Sequence, residues 1–357
     1  VFPIDDVFNR FRKLDAPASL TFTAQVVREQ INGKINVYAS RIQKELLFGI
    51  EKYFGDCKEP KIFRNIHQIF VLITAKALAN IICEEATQFE DIIISFATAE
   101  RELRSMRFFP PILSFISSSL QSKLAALPLK FGWNPISQHR DIFVKYFRPI
   151  VEERFHQRKK LGEKYVPKED LLEFFLNDPN FKTDVVDDEY MDELFAQTYI
   201  IVFASISTAS RFLGLSIFDY ARRPELWDEI YEEQLIIHNE TNGILGREVY
   251  VYAKDTSFND KIYGKTVNDF QPKRHIISHP NGKLVHIQAT KVNRSLLTFG
   301  GGKHACPGRF FAVSEIKMCL HKLILRYNIR TESGKLDPPK RICTHTYPPV
   351  SGLIFEN

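Results

Sequence analysis

Cysteine is scarce in this chain and its count is odd: Cys57, Cys83, Cys306, Cys319 and Cys343 are the five among 357 residues. That argues against a disulfide framework of the kind that staples small secreted domains, and it fits a reducing compartment. A long uncharged apolar run is also missing. The nearest approach, Tyr199 to Phe218, carries Arg211 near its middle together with Ser205, Ser207, Thr208, Ser210 and Ser216, so it reads as a buried helix rather than a membrane span. No Gly-x-Gly-x-x-Gly follows a strand, which leaves no dinucleotide-binding turn. Strong charge is absent too: the net charge is +5, and neither aromatic interleaving nor a zinc module points to nucleic acid. The densest basic cluster, Arg154, Arg158, Lys159, Lys160, Lys164 and Lys168, is interrupted by acids. It reads as a solvated helix end, with a patch for a partner protein or an anionic membrane as the alternative. The start, Val1 to Asp6, shows no methionine, signal peptide or membrane helix, and the expectation is a chain truncated at its N-terminus.

What is present is an ordinary globular composition, 44% hydrophobic and 25% charged, on a chain long enough to bury a large core. One domain over residues 1–357 is expected. Thirty phenylalanines suit an interior built around a large apolar ligand, although an aromatic core alone would look the same. Apolar residues recur at three- and four-residue steps from about Ala24 to Phe54, His67 to Cys83, Glu85 to Arg104 and Pro135 to Lys159, which predicts helices, the last kinked or split at Pro149. A long helix is expected from Asp187 to about Arg222, with another from Pro224. Beyond Gly246 the pattern changes to short extended runs, Glu248 to Ala253, Ile276-Ile277, Leu284 to Ile287 and Thr344 to Phe355, with Pro280-Asn281-Gly282 as a hairpin turn. There is no internal repeat. The fold class is therefore mostly α, with a few short strands in the C-terminal third.

The most informative residues are Phe299-Gly-Gly-Gly-Lys-His-Ala-Cys-Pro-Gly308. Three glycines let the backbone turn tightly and approach a flat ligand, and Pro307-Gly308 opens a helix in which Ala312, Ile316, Cys319, Leu320, Leu323 and Tyr327 recur at helical spacing. Cys306 thus sits at the partly positive N-terminal end of an amphipathic helix, where a metal-bound thiolate is stabilised. A buried free cysteine is the bland alternative. Zinc is excluded by count, since His304 and Cys306 supply at most two ligands and neither Cys319 nor Cys343 adds a zinc-type spacing.

Phe299-x-x-Gly302-x-x-x-Cys306-x-Gly308 resembles the haem-binding loop of the cytochromes P450, whose cysteine thiolate is the proximal ligand of haem iron. The resemblance covers roughly Gln30 to the end and leans to the fungal branch of the family. It implies haem b as cofactor with Cys306 as axial and only protein metal ligand, and Phe299, Gly302, His304 and Gly308 around it. Phe299 would shield the sulfur. His304 would meet a haem propionate or simply be exposed on the loop.

In the long helix, Ala204-Ser205-Ile206-Ser207-Thr208-Ala209 resembles the family's distal small-residue, acid-then-threonine motif. Ala204 and Thr208 are four residues apart on one face, so a small side chain gives room and a hydroxyl can hold protons and water. Ser207 stands where the family usually has an acid and cannot act as a carboxylate relay. Phe270-Gln-Pro272-Lys-Arg274 resembles the family's aromatic-x-Pro-x-Arg element, whose arginine pairs with an upstream Glu-x-x-Arg. No Glu-x-x-Arg occurs in this chain. Only Leu235 to Leu245 stand where the family carries a longer helix and strand segment, which leaves Arg274 without its expected partners.

The resemblance implies a monooxygenase that inserts one oxygen atom from O2 into an apolar organic substrate, with Thr208, Ser207 and Ala204 on the catalytic side. Electrons would come from NADPH through a partner reductase, with no nucleic acid involved. Full-length relatives are expected on the cytosolic face of the endoplasmic reticulum membrane, whereas this chain, with no anchor, would be soluble or peripheral. Two other readings remain: a non-catalytic remnant with impaired haem binding, suggested by the missing Glu-x-x-Arg, and a haem-thiolate isomerase or dehydratase, suggested by the absent acid at Ser207.

Overall fold

The computed structural model describes residues 8, 16–105, 120, 133–134, 136–181, 185–241, 271, 276–278, 284–292, 298–300, 305–335, 337–342 and 345–357. Helices dominate: α1 (Ala16–Val26), α2 (Ile35–Phe54), α3 (Ile66–Ile82), α4 (Glu90–Ser105), α5 (Ser137–Leu161), α6 (Leu171–Asn177), α7 (Asp188–Ala221), α8 (Pro224–Thr241) and α9 (Arg309–Arg326). Short strands are also present among the described residues: β1 (Lys61–Phe63), β2 (Ile276–Ser278), β3 (Leu284–His286), β4 (Asn328–Thr331), β5 (Lys340–Ile342), β6 (His345–Tyr347) and β7 (Leu353–Glu356). The mostly α class with few strands is as expected.

Each helix follows from local chemistry. In α2 the buried side chains Tyr38, Ile42, Leu46 and Ile50 recur every four residues, one apolar stripe on an otherwise polar cylinder. Gly55 ends it at φ 71°, a left-handed conformation that glycine adopts without strain. The stretch expected as one helix from Ala24 to Phe54 is instead α1, a π-helical turn at Val27–Asn32, a break at Gly33-Lys34 and then α2. α5 runs through Pro149 unbroken, so it is not split there. Asp170 caps α6 by accepting a hydrogen bond from the Glu173 N–H at 2.8 Å. α7 is the one described helix long and apolar enough to cross a membrane, and its apolar stretch is mostly buried inside the protein, as its serines and Arg211 foretold.

The chain divides into two compact units, each assembled from two stretches. Val1–Val26 and Val71–Ser207 form the first. Its core stacks Phe143 on Phe147 at 4.1 Å and sets Phe195 beside Tyr199 at 4.3 Å. Tyr199 is fully buried, and its hydroxyl is satisfied by Ser95 Oγ, which also lies 2.8 Å from His139 Nδ1; His139 Nε2 is 2.9 Å from Glu102. Arg154, expected at a solvated helix end, is 2% exposed. Its guanidinium donates to Asp170 at 2.6 and 2.8 Å, to Glu85 at 2.9 Å and to Glu173 at 3.3 Å. Arg158 and Lys168 add further pairs to Glu173 and Glu85. Opposite charges spaced along α5 and α6 neutralise one another inside, which the run of basic residues alone did not reveal.

Val27–Phe70 and Thr208–Asn357 form the second unit. Its sheet has strand order β1-β7-β4, all antiparallel, with Ile62 opposite Ile354 and Arg330 opposite Ile354 from the other side. β1 is an N-terminal strand that pairs with the chain's end, and neither it nor β4 is marked by an alternating pattern long enough to read. Phe54, Phe63, Tyr327 and Phe355 pack under this sheet, with Phe54 stacked on Phe355 at 4.6 Å. β2 and β3 pair antiparallel across residues 279–283, in agreement with the hairpin expected there. Residues 248–253 lie outside the described residues.

Candidate functional site

The Cys306 loop is held at three points. The Cys306 N–H donates to the Phe299 carbonyl at 2.7 Å, which closes the eight-residue loop on itself. Asn32, in the π-helical turn, donates from Nδ2 to the Pro307 carbonyl at 2.6 Å. Arg309 donates to the Cys306 carbonyl at 3.0 Å, and its guanidinium lies over the Phe310 ring at 4.4 Å. Gly300 takes φ 73°, so the loop begins with a turn that favours glycine. Cys306 itself is half-buried. Pinning of the flanking carbonyls and amide fixes the Cα, so the thiol is presented rather than packed away.

The helix after the loop departs from expectation twice. It opens at Arg309 with Gly308 as the residue before its first turn, so Pro307 lies in the preceding turn. Gly308 has φ −83°, and a Cβ there would meet the Val27 side chain at an ordinary 3.6 Å, so neither conformation nor space demands glycine at that position. α9, expected to be amphipathic, buries Ile316, Cys319, Leu320 and Leu323 and leaves Phe310, Ser314, Lys322 and Arg326 at least partly exposed, but its middle also buries Glu315, Lys317 and His321. Glu315 is 2% exposed, its Oε1 has no hydrogen-bond partner, and burial pushes its carboxyl up to about 8. Sequence reasoning passed over Glu315; the available signal was its place four residues from both Phe311 and Cys319 on the apolar stripe.

On α7, Ala204 is exposed and Thr208 half-buried, while Val202, Ile206, Ser207, Ala209 and Ser210 are buried. Ala204 and Thr208, one turn apart, therefore share an accessible face of α7, with Phe203, Ser205 and Arg211 also partly open, whereas Ser207 is buried. Gly302 and His304 lie outside the described residues, as do Phe270, Pro272 and Arg274.

Donor chemistry distinguishes this loop from the other cysteine cluster. Cys83, Glu85 and Asp170 converge closely enough to hold an ion, but the Arg154 guanidinium already occupies that space, bonding Glu85 and Asp170 and lying 3.8 Å from the Cys83 sulfur. Burial, foremost, and the Glu85 charge keep the Cys83 thiol protonated. Cys306, by contrast, is a half-buried soft donor at the end of a loop closed by its own N–H on the Phe299 carbonyl. The residues present thus fit a group that needs one axial thiolate and supplies its remaining ligands itself, as haem iron does.

Residues 245–350 match the cytochrome P450 family model. A cytochrome P450 monooxygenase 71 of Postia placenta is 35% identical over 105 residues, 29% of this chain and 21% of the relative. This likeness to the cytochrome P450 family covers less than a third of the chain. A cytochrome P450 monooxygenase 3 of Gibberella fujikuroi is 52% identical over 60 residues, 16% of this chain and 11% of that one. A fumitremorgin C monooxygenase of Aspergillus fumigatus is 36% identical over 91 residues, 25% of this chain and 18% of the relative. These relatives are fungal, and the matches span about a fifth of their length or less.

Proposed function

We propose that this chain is the haem-thiolate part of a monooxygenase that places one oxygen atom from O2 into an apolar organic substrate. The observation that carries the reading is the Cys306 loop, pinned through Phe299, Asn32 and Arg309 at the head of α9, within the stretch that matches the family. Cys306 would hold the iron of haem b as its axial thiolate, with Phe299, Gly302, His304 and Gly308 forming the rest of the cradle. Bound there, haem supplies the oxygen-activating chemistry. The protein's part is to orient and to manage protons. Ala204 leaves room on the open face of α7, and the Thr208 hydroxyl on that face can hold a water and pass a proton. Ser207, buried away from that face and without a carboxyl, is not equipped to take the proton from bulk solvent. Electrons would reach the site from NADPH through a separate reductase, and the membrane face of the endoplasmic reticulum is the setting that the full-length pattern suggests.

A second reading is favoured by one observation: the chain contains no Glu-x-x-Arg to pair with Arg274. On that reading the chain is a remnant of the family that folds but holds haem poorly. The reduced carbon monoxide difference spectrum of the haem-reconstituted chain separates the two. A red-shifted thiolate-type Soret band that disappears in Cys306→Ala supports the monooxygenase reading. Absence of haem uptake, or a band of the protonated or lost thiol type, overturns it in favour of the remnant.

A further inference from the structure

α8 packs against α9 in the second unit and brings two imidazoles together. His238, near the end of α8, and His321, in α9, have ring centroids 5.8 Å apart with planes inclined by 28°. His321 is 1% exposed, and its Nδ1 lies 2.9 Å from Gln234 Oε1, one turn before His238 on the same helix. An amide oxygen can only accept, so Nδ1 carries the proton and Nε2 keeps a bare lone pair. That Nε2 is buried with no hydrogen-bond partner, and so is Nδ1 of His238. An unpartnered buried polar atom costs about 1–3 kcal/mol. Here two stand on neighbouring rings, and one cation would satisfy both.

We propose that His238 and His321 form a two-imidazole site for a borderline divalent transition ion of the zinc, nickel or copper class, with water completing its shell. Metal to nitrogen distances of about 2.0–2.1 Å put each ring centroid roughly 3.2 Å from a bound ion, so a shared ion requires centroids no more than about 6.4 Å apart. The observed 5.8 Å lies inside that limit. Gln234 supplies the oxygen that holds a metal-binding histidine in one tautomer and one orientation. No carboxylate belongs to this pair, so oxygen-seeking calcium and magnesium are poor occupants. The half-exposed His238 ring gives the ion and its waters a route in. Lys322, the neighbouring cation on α9, weakens the site and places it in the range of exchangeable rather than permanent ions. Occupation would clamp α8 to the helix that follows the Cys306 loop, and the proposal stands or falls independently of the monooxygenase reading.

The test is titration of the purified chain with Cu(II), followed by electron paramagnetic resonance, and with Zn(II), followed by thermal unfolding. Both are done in the parent chain and in Cys306→Ala, so that the loop thiol cannot capture the ion unnoticed. One equivalent with hyperfine coupling to two nitrogens, and a Zn(II)-dependent rise in Tm, is the expected result. His238→Ala, a change at a half-exposed helix end, should reduce the coupling to one nitrogen or none and abolish the Tm rise. Gln234→Leu should keep both ligands but weaken binding by about ten- to a hundredfold. Undiminished binding in His238→Ala, or no ion taken up by the parent chain, overturns the assignment.

Discussion

Replacing Glu315 by glutamine should make this protein more stable at neutral pH and leave it unchanged in mild acid. The carboxyl is 2% exposed in the middle of α9, and burial alone raises its pKa from 4.5 to about 8. An acid whose folded pKa lies above its unfolded one favours the fold fully below the unfolded value, and that contribution is lost as pH rises toward the folded value. Between 4.5 and 8 the loss is about 1.4 kcal/mol per pH unit. At pH 7 the accumulated loss, over about two and a half units, is roughly 3 kcal/mol. Glutamine has the same shape, stays neutral at every pH, and leaves the same polar Oε1 position, so the packing and satisfaction terms largely cancel. Urea unfolding of both proteins, followed by helical circular dichroism at a series of pH values between about 4.5 and 8, measures the difference directly. The glutamine variant should gain stability progressively across that interval. A difference that does not vary with pH, or a variant less stable at neutral pH, would refute the claim that Glu315 is held in an apolar interior as a neutral acid.

Two further outcomes follow from the buried charges. Arg154→Met should cost about 3–5 kcal/mol, because Asp170 and Glu173, each nearly sealed from solvent, lose their main counter-charge; hydrogen exchange in α6, whose cap is Asp170, should accelerate first, and unchanged stability would count against the network. Burial, more than any other cause, lowers the pKa of His139 below 6.5 despite Glu102 and lowers that of His321 to about 4. Bases with depressed folded pKa contribute stability that is complete above 6.5 and declines as pH falls, for His321 down to about 4. His321→Gln should therefore flatten the acid side of the stability profile, and an NMR titration should find the His321 ring neutral at pH 5.5; protonation of that ring near its ordinary value would contradict the geometry.

Periodicity reported the helices well because a stripe such as Tyr38, Ile42, Leu46 and Ile50 is written into the chain every four residues. α7 was legible as a buried helix for a related reason: serines and Arg211 interrupt its apolar run in a way a lipid-facing span does not tolerate. Short strands were harder. β1 and β4 are three and four residues long, too few for alternation to stand out, and they exist because β7 pairs with both. The boundary details that were missed, the π-helical turn at Val27–Asn32 and the unbroken passage through Pro149, depend on what packs around them rather than on propensity.

For the site, the sequence by itself determined the chemistry on offer: one cysteine after three glycines and before a helix, and a small residue and a threonine one turn apart on a long helix. Those are relations between near neighbours, and backbone geometry makes them binding on any fold the chain adopts. Only the tertiary structure decided which groups are desolvated and which are shared. Asn32 reaches Pro307 across 275 positions of sequence. Arg154 becomes the centre of a knot rather than a surface charge, Glu315 becomes a neutral acid, and His238 meets His321. Charge state and hydrogen-bond satisfaction depend on partners brought from distant parts of the chain and on the exclusion of water, and no local pattern encodes either.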